Sequence, residues 1–211
     1  MKRTSLFFTI VLGLLIACSE EVFVPKPKLY LRPDLPSHTY VSKTIDHGTL
    51  AYTFQMPAQY SLGTACDDTL LQLSYFRREE LKRFAMQSFE LSPIKGWLNM
   101  YACRFDSQDS LAKLLNYSIK LKEDHILKAD GIESEKINNP AQKVYGTLFS
   151  LKGNVASNFH FHLTDSTSRF VMGIVELDAT PNYDSLKPTL EYIKKDLDKI
   201  TQSFQWKNLS P

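Results

Sequence analysis

Few residues in this chain have the types and spacing to do chemistry, and Cys18 leads them. Leu15-Ile16-Ala17-Cys18 fits a lipobox. In that motif the cysteine sulfur is the nucleophile that accepts a diacylglycerol before the chain is cut ahead of it. The flanks agree. Lys2 and Arg3 form a positive head, and Leu6 to Ala17 is apolar apart from Thr9 and Gly13. That run is shorter than the roughly 20 apolar residues needed to cross a bilayer, and it reads as a secretory signal. An ordinary signal followed by an incidental cysteine is the competing reading. If Cys18 is lipidated, the chain is held at a membrane by acyl chains, each buried CH2 contributing about 0.8 kcal/mol.

His160-x-His162 is the next candidate. Residues two apart on a strand share a face about 7 Å apart, so these imidazoles could support a metal. A site needs a third ligand, for which His125 and Asp165 are available; the alternative is two exposed histidines on the polar face of a strand. No metal and no cofactor is the expectation. Asp165 with Ser166 and Ser168 suggests a hydrolase, yet no Gly-x-Ser-x-Gly elbow accompanies them, and turns favour Ser, Thr and Asp for their own hydrogen bonds. Leu151-Lys152-Gly153-Asn154 holds one glycine and reads as a turn, not a phosphate cradle. Cys103 lies in an aromatic-rich stretch where a thiol packs as a small apolar group. Cys66 and Cys103 leave two options open: a disulfide, which an exported chain allows, or two packed thiols. With no catalytic set, a non-enzymatic protein without a small-molecule substrate is expected.

The elements around these residues come from periodicity. The 211 residues carry a net charge of +2 and are 43% hydrophobic. That is one domain with an ample core, and the charge argues against a nucleic-acid partner. Three segments follow: a signal at 1–17, a lipidated N-terminus and tether at 18–38, and one domain at 39–211. Pro25, Pro27, Pro33 and Pro36 make the tether extended. Thr49–Pro57, Thr69–Phe76 and Trp97–Phe105 read as strands. Leu81, Phe84, Ala85 and Phe89 have helical spacing before Pro93, predicting a short helix. Residues 108–123 read as a helix capped by Ser107. Lys143–Asn154, Ser157–Thr164 and Arg169–Leu177 read as strands, joined by a turn at Thr164–Ser168. The last is apolar on both faces, which places it centrally. Leu186, Leu190, Ile193, Leu197, Ile200 and Phe204 form a long amphipathic stripe, with Ser185 or Asp184 as cap and Pro188 in the first turn. The expected fold is α+β: a mostly antiparallel sheet flanked by helices, with a long C-terminal helix.

Several segments together resemble the gliding-motility lipoprotein GldD family of the Bacteroidota. Pro25–Pro36 is similar to that family's Pro-Lys-Pro-Lys-Gly-Tyr-x-Arg tether, with Leu29 in place of glycine. Lys128–Ile132 resembles its Lys-Ala-Asp-Ala-Ile segment. Tyr145–Gly173 resembles its Gly-Asn-x-Ala-Ser block followed by Phe-x-x-Thr-Asp-Ser. Pro181–Pro188 and the closing Trp206-Lys207 match as well. The likeness is poor between Thr64 and Trp97, and Met172 stands where the family has arginine, so no role of that arginine carries over. A weaker likeness of pattern, strands opening "YTFQMP" and a helix ending "ITQSF", points to a PsbP-like architecture.

The resemblance implies a non-enzymatic accessory lipoprotein for gliding motility and the type IX secretion linked to it. It also implies partners among other envelope proteins of that apparatus, and a membrane contact through Cys18. Ser19, not aspartate, follows the cysteine, so outer-membrane placement facing the periplasm is expected, with the cell surface as the other possibility because of Glu20 and Glu21. The likeness is densest around Asn154, Ser157, Thr164, Asp165, Ser166 and Arg169. These residues are the expected partner surface, unless turn geometry alone explains them. The other functional reading is a periplasmic ligand- or metal-binding lipoprotein built on His160 and His162.

Overall fold

The computed structural model describes residues 34–48, 50–63, 82–124, 129–179 and 182–207. The signal, Cys18, most of the tether, the strand expected at 69–76, Cys66 and His125 lie outside them. All the described residues fall in a compact unit, Arg32–Pro211.

Strands β1 (Tyr40–Ile45), β2 (Tyr52–Pro57), β3 (Ser61–Leu62), β4 (Lys82–Glu90) and β5 (Gly96–Arg104) lead into helix α1 (Gln108–Asp124). Strands β6 (Ala129–Asn139), β7 (Val144–Gly153), β8 (Phe159–Thr164) and β9 (Arg169–Leu177) follow, then helix α2 (Tyr183–Gln202) and the short β10 (Gln205–Trp206). Seven strands form one sheet in the order β3-β4-β5-β9-β8-β7-β6, and β1-β2-β10 form a small one. Every pairing is antiparallel. The fold is α+β, with β9 central as its doubly apolar composition required.

Strand alternation divides the core between the two faces of the large sheet. Leu98, Met100, Phe161, Leu163, Val171 and Val175 face the main core, which α2 and β2 close with Leu190, Ile193, Leu197, Ile200, Tyr52 and Phe54. Burying the α2 stripe contributes roughly 1.5–3 kcal/mol per large side chain before entropy. Phe204, fully buried just beyond α2, stacks on Tyr52 at 5.2 Å and meets Trp206 edge-on at 4.8 Å. On the opposite face Tyr101, Cys103, Phe170 and Met172 pack under Leu111, Leu114 and Tyr117 of α1. Met172 therefore fills an apolar position.

Four expectations need correction. The helix expected around Leu81–Phe89 is strand β4. Residues at i and i+4 share a face of a strand as well as of a helix, so Ala85 and Phe89 fit both periods. Pairing decides the matter: β4 runs against β5 along its length, with Ala85 opposite Ala102 and Phe89 opposite Leu98. The α2 cap is Asn182, not Ser185 or Asp184; its side chain accepts from the Ser185 N–H. Helix α2 thus starts early enough that Pro188 lies inside it, past the first turn. Finally, His160 and His162 are buried, because α1 covers the face left polar by the strand pattern. The remaining expectations for α1 hold: the Ser107 hydroxyl accepts from the Ser110 N–H at 3.1 Å.

Candidate functional site

The histidine pair sits on β8 beneath α1, 3% and 6% exposed. Ser118, itself fully buried in α1, engages both. Its carbonyl accepts from His160 Nε2 at 3.2 Å, and its hydroxyl shares a 2.9 Å hydrogen bond with His162 Nδ1. Phe149 stacks on His160 at 4.6 Å. Burial lowers the His162 imidazole to about 4, so it is neutral near pH 7. Among the described residues no group of three His, Cys, Asp or Glu is gathered as metal ligands. The pair clips a helix to a sheet. Cys103 is a free, buried thiol pushed up to about 12 by burial, as packing requires.

The turn from β8 to β9 is built around Asp165, 3% exposed. Its Oδ1 accepts from the N–H groups of Thr167 (3.0 Å), Ser168 (2.8 Å) and Arg169 (2.9 Å), and its Oδ2 accepts from Arg169 Nε at 2.7 Å. Burial raises the carboxyl, but the Arg169 side chain and these backbone donors outweigh it and hold it down at about 2. Thr164 Oγ1 donates to the Arg169 carbonyl at 2.8 Å. Ser166 takes a left-handed φ of 62° at the tip. Arg169 also lies over the Trp206 ring at 4.9 Å and donates to the Lys207 carbonyl at 3.1 Å, latching β10 to the turn.

Asn154 and Ser157 stand at the other end of β8, about 20 Å away at strand rise. The structure therefore divides the expected partner surface into two patches. Asn154 Oδ1 accepts from the Tyr183 N–H at 2.8 Å and fixes the start of α2, while Ser157 Oγ donates to the Val175 carbonyl at 2.7 Å. Asp165 thus holds its own turn together, whereas Asn154 and Ser157 tie their loop to α2 and β9.

Two features went unread in the sequence. One is a buried carboxylate, Asp196 in α2, 1% exposed. It accepts from His38 Nδ1 at 2.7 Å, Tyr40 OH at 3.0 Å and Tyr60 OH at 2.6 Å. His38 also stacks on Tyr192 at 4.2 Å. Burial first, then the Asp196 charge and its hydrogen bond, raise the Tyr40 and Tyr60 hydroxyls well above the usual range. With Leu35 packed against the main core, the end of the expected tether lies on the domain. The signal was available: Asp196 falls between Ile193 and Ile200 on the apolar stripe, where an acid needs buried donors.

The other feature is a groove of about 580 Å³ between the first half of α2 and β6–β8, with Phe159 and Leu190 in its floor and Lys152, Lys187, Lys194 and Lys195 around it. A second cleft of about 350 Å³ lies beyond it, between the last turns of α2 and the end of β6. Lys194 joins the walls, bonding Glu135 at 2.7 Å and also Asp198. Lys152 pairs with Glu133.

Among the described residues no helix is long and apolar enough to cross a membrane. Comparison with known families finds one whose model, described as gliding motility lipoprotein GldD, matches residues 20–206. Comparison with curated proteins gives no match.

Proposed function

The chain belongs to the gliding motility lipoprotein GldD family, and from that premise we propose a non-enzymatic envelope lipoprotein needed for gliding motility and type IX protein secretion, acting as an assembly or stabilising component. Membrane attachment is through acyl chains on Cys18, at the outer membrane and facing the periplasm. The partners are other envelope proteins of the gliding and secretion apparatus. The family match carries this reading, since it spans the domain and not one motif.

The geometry supports it from the side of the chemistry. Ser118 occupies the histidines that suggested a metal, and the turn occupies Asp165, which suggested a hydrolase. Of the two divided patches, the Asn154–Ser157 loop adjoins the lysine-flanked groove through Tyr183, which favours docking at that end of β8. The full chain, purified from envelopes in mild detergent, is expected to bring other components of the apparatus with it. Retention of none of them would contradict the assembly role.

A further inference from the structure

The geometry points to the α2 groove as the docking site for an extended acidic segment of a partner protein, carrying carboxylates at i and i+4 and an apolar side chain at i+2. The inference deepens the assembly role proposed above and rests on it for its meaning in the cell.

Charge comes first. Lys152 and Lys194 are already paired with Glu133, and with Glu135 and Asp198. Lys187 and Lys195 also flank the groove, and neither has an acidic partner at ion-pair distance among the described residues. Among the described residues two cations are thus presented without an ion-paired acid. They stand eight positions apart on the helix, a rise of about 12 Å. Residues at i and i+4 of an extended chain share a face about 13 Å apart. The spacings agree, and the i+2 side chain between them falls where Phe159 and Leu190 offer an apolar floor. Glu191, one turn from each lysine, also lines the groove and disfavours a third acid at that central place.

Shape supports an extended occupant. The two clefts lie end to end along α2, whose 20 residues rise about 30 Å. The groove wall includes Glu133 of β6, the last strand in the sheet order, and no described strand pairs with its outer edge. An incoming segment therefore has both a charged groove and a neighbouring strand edge to follow.

The test uses the full chain in mild detergent and a fluorescein-labelled peptide, Ser-Glu-Ser-Leu-Ser-Glu-Ser, read by anisotropy. Saturable binding is expected, weakened about tenfold or more by the K187E/K195E pair and by raised salt, but not by Lys95→Glu in the exposed β4–β5 turn. An unchanged thermal midpoint in the variants certifies folding. The same peptide with lysine for glutamate is expected not to bind. No saturable binding, or binding that K187E/K195E leaves intact, would overturn the site. In a strain lacking the gene, K187E/K195E should fail where wild-type and Lys95→Glu copies restore cargo secretion. If the wild-type copy itself has no effect on secretion, the assembly role falls, while the peptide measurement still decides the groove.

Discussion

His162 shows how one residue's chemistry is set by what covers it. On an open strand it would titrate near 6.5; under α1, burial lowers it to about 4. The unfolded chain binds the proton first, so the stability held by neutral His162 is complete above pH 6.5 and is lost as pH falls through about 4. The linkage is worth up to about 3 kcal/mol. Urea unfolding at pH 7 and at pH 4 should therefore show a larger loss for wild type than for His162→Gln, which does not titrate. Equal losses would contradict the burial account. The residue type and spacing were legible in the sequence, but the burial was not. It depends on Ser118, 44 residues away, and nothing in a polar strand face announces the helix that will cover it.

At the scale of elements, legibility followed how completely a segment's partners were encoded in its own pattern. Helix α2 carries its whole apolar stripe, and β9 its double-faced apolar run, so both were readable. Strand β6 has only Ile132 and Ile137 as large apolar residues and sits at a sheet edge, where little is buried and periodicity has little to report. Strand β4 was misread because its spacing served two geometries and only β5 chose between them. The contact between β8 and β9 offers a direct check of register. Gly173 lies opposite Phe161, and a Cβ there would run into the Phe161 ring. Gly173→Ala is expected to cost about 1–3 kcal/mol by overpacking, measured by chemical denaturation. A neutral result would mean that the ring does not lie over Gly173.

Across the whole molecule, Asp196 connects the first described residues to the last helix. His38, Tyr40 and Tyr60 reach it over more than 130 positions of sequence. Such a site exists only once the fold has formed: an acid within the apolar stripe of α2 was readable, but the three distant donors that meet it were not, whereas the family motifs could be read in order along the chain. Asp196→Ala would leave three donors around a buried gap and should cost about 1.5–3 kcal/mol. Restoring donor and acceptor balance in part with Asp196→Asn should recover some of that loss. Equal stability of Asp196→Ala and wild type would show that the clasp contributes nothing.

The central claim is an anchored role in type IX secretion. Its most direct test is the amount of type IX cargo in culture supernatant from a strain lacking this gene, complemented with wild type or with Cys18→Ala. The account predicts that secretion is lost, that the wild-type copy restores it, and that Cys18→Ala does not. Normal cargo levels without the gene would contradict it.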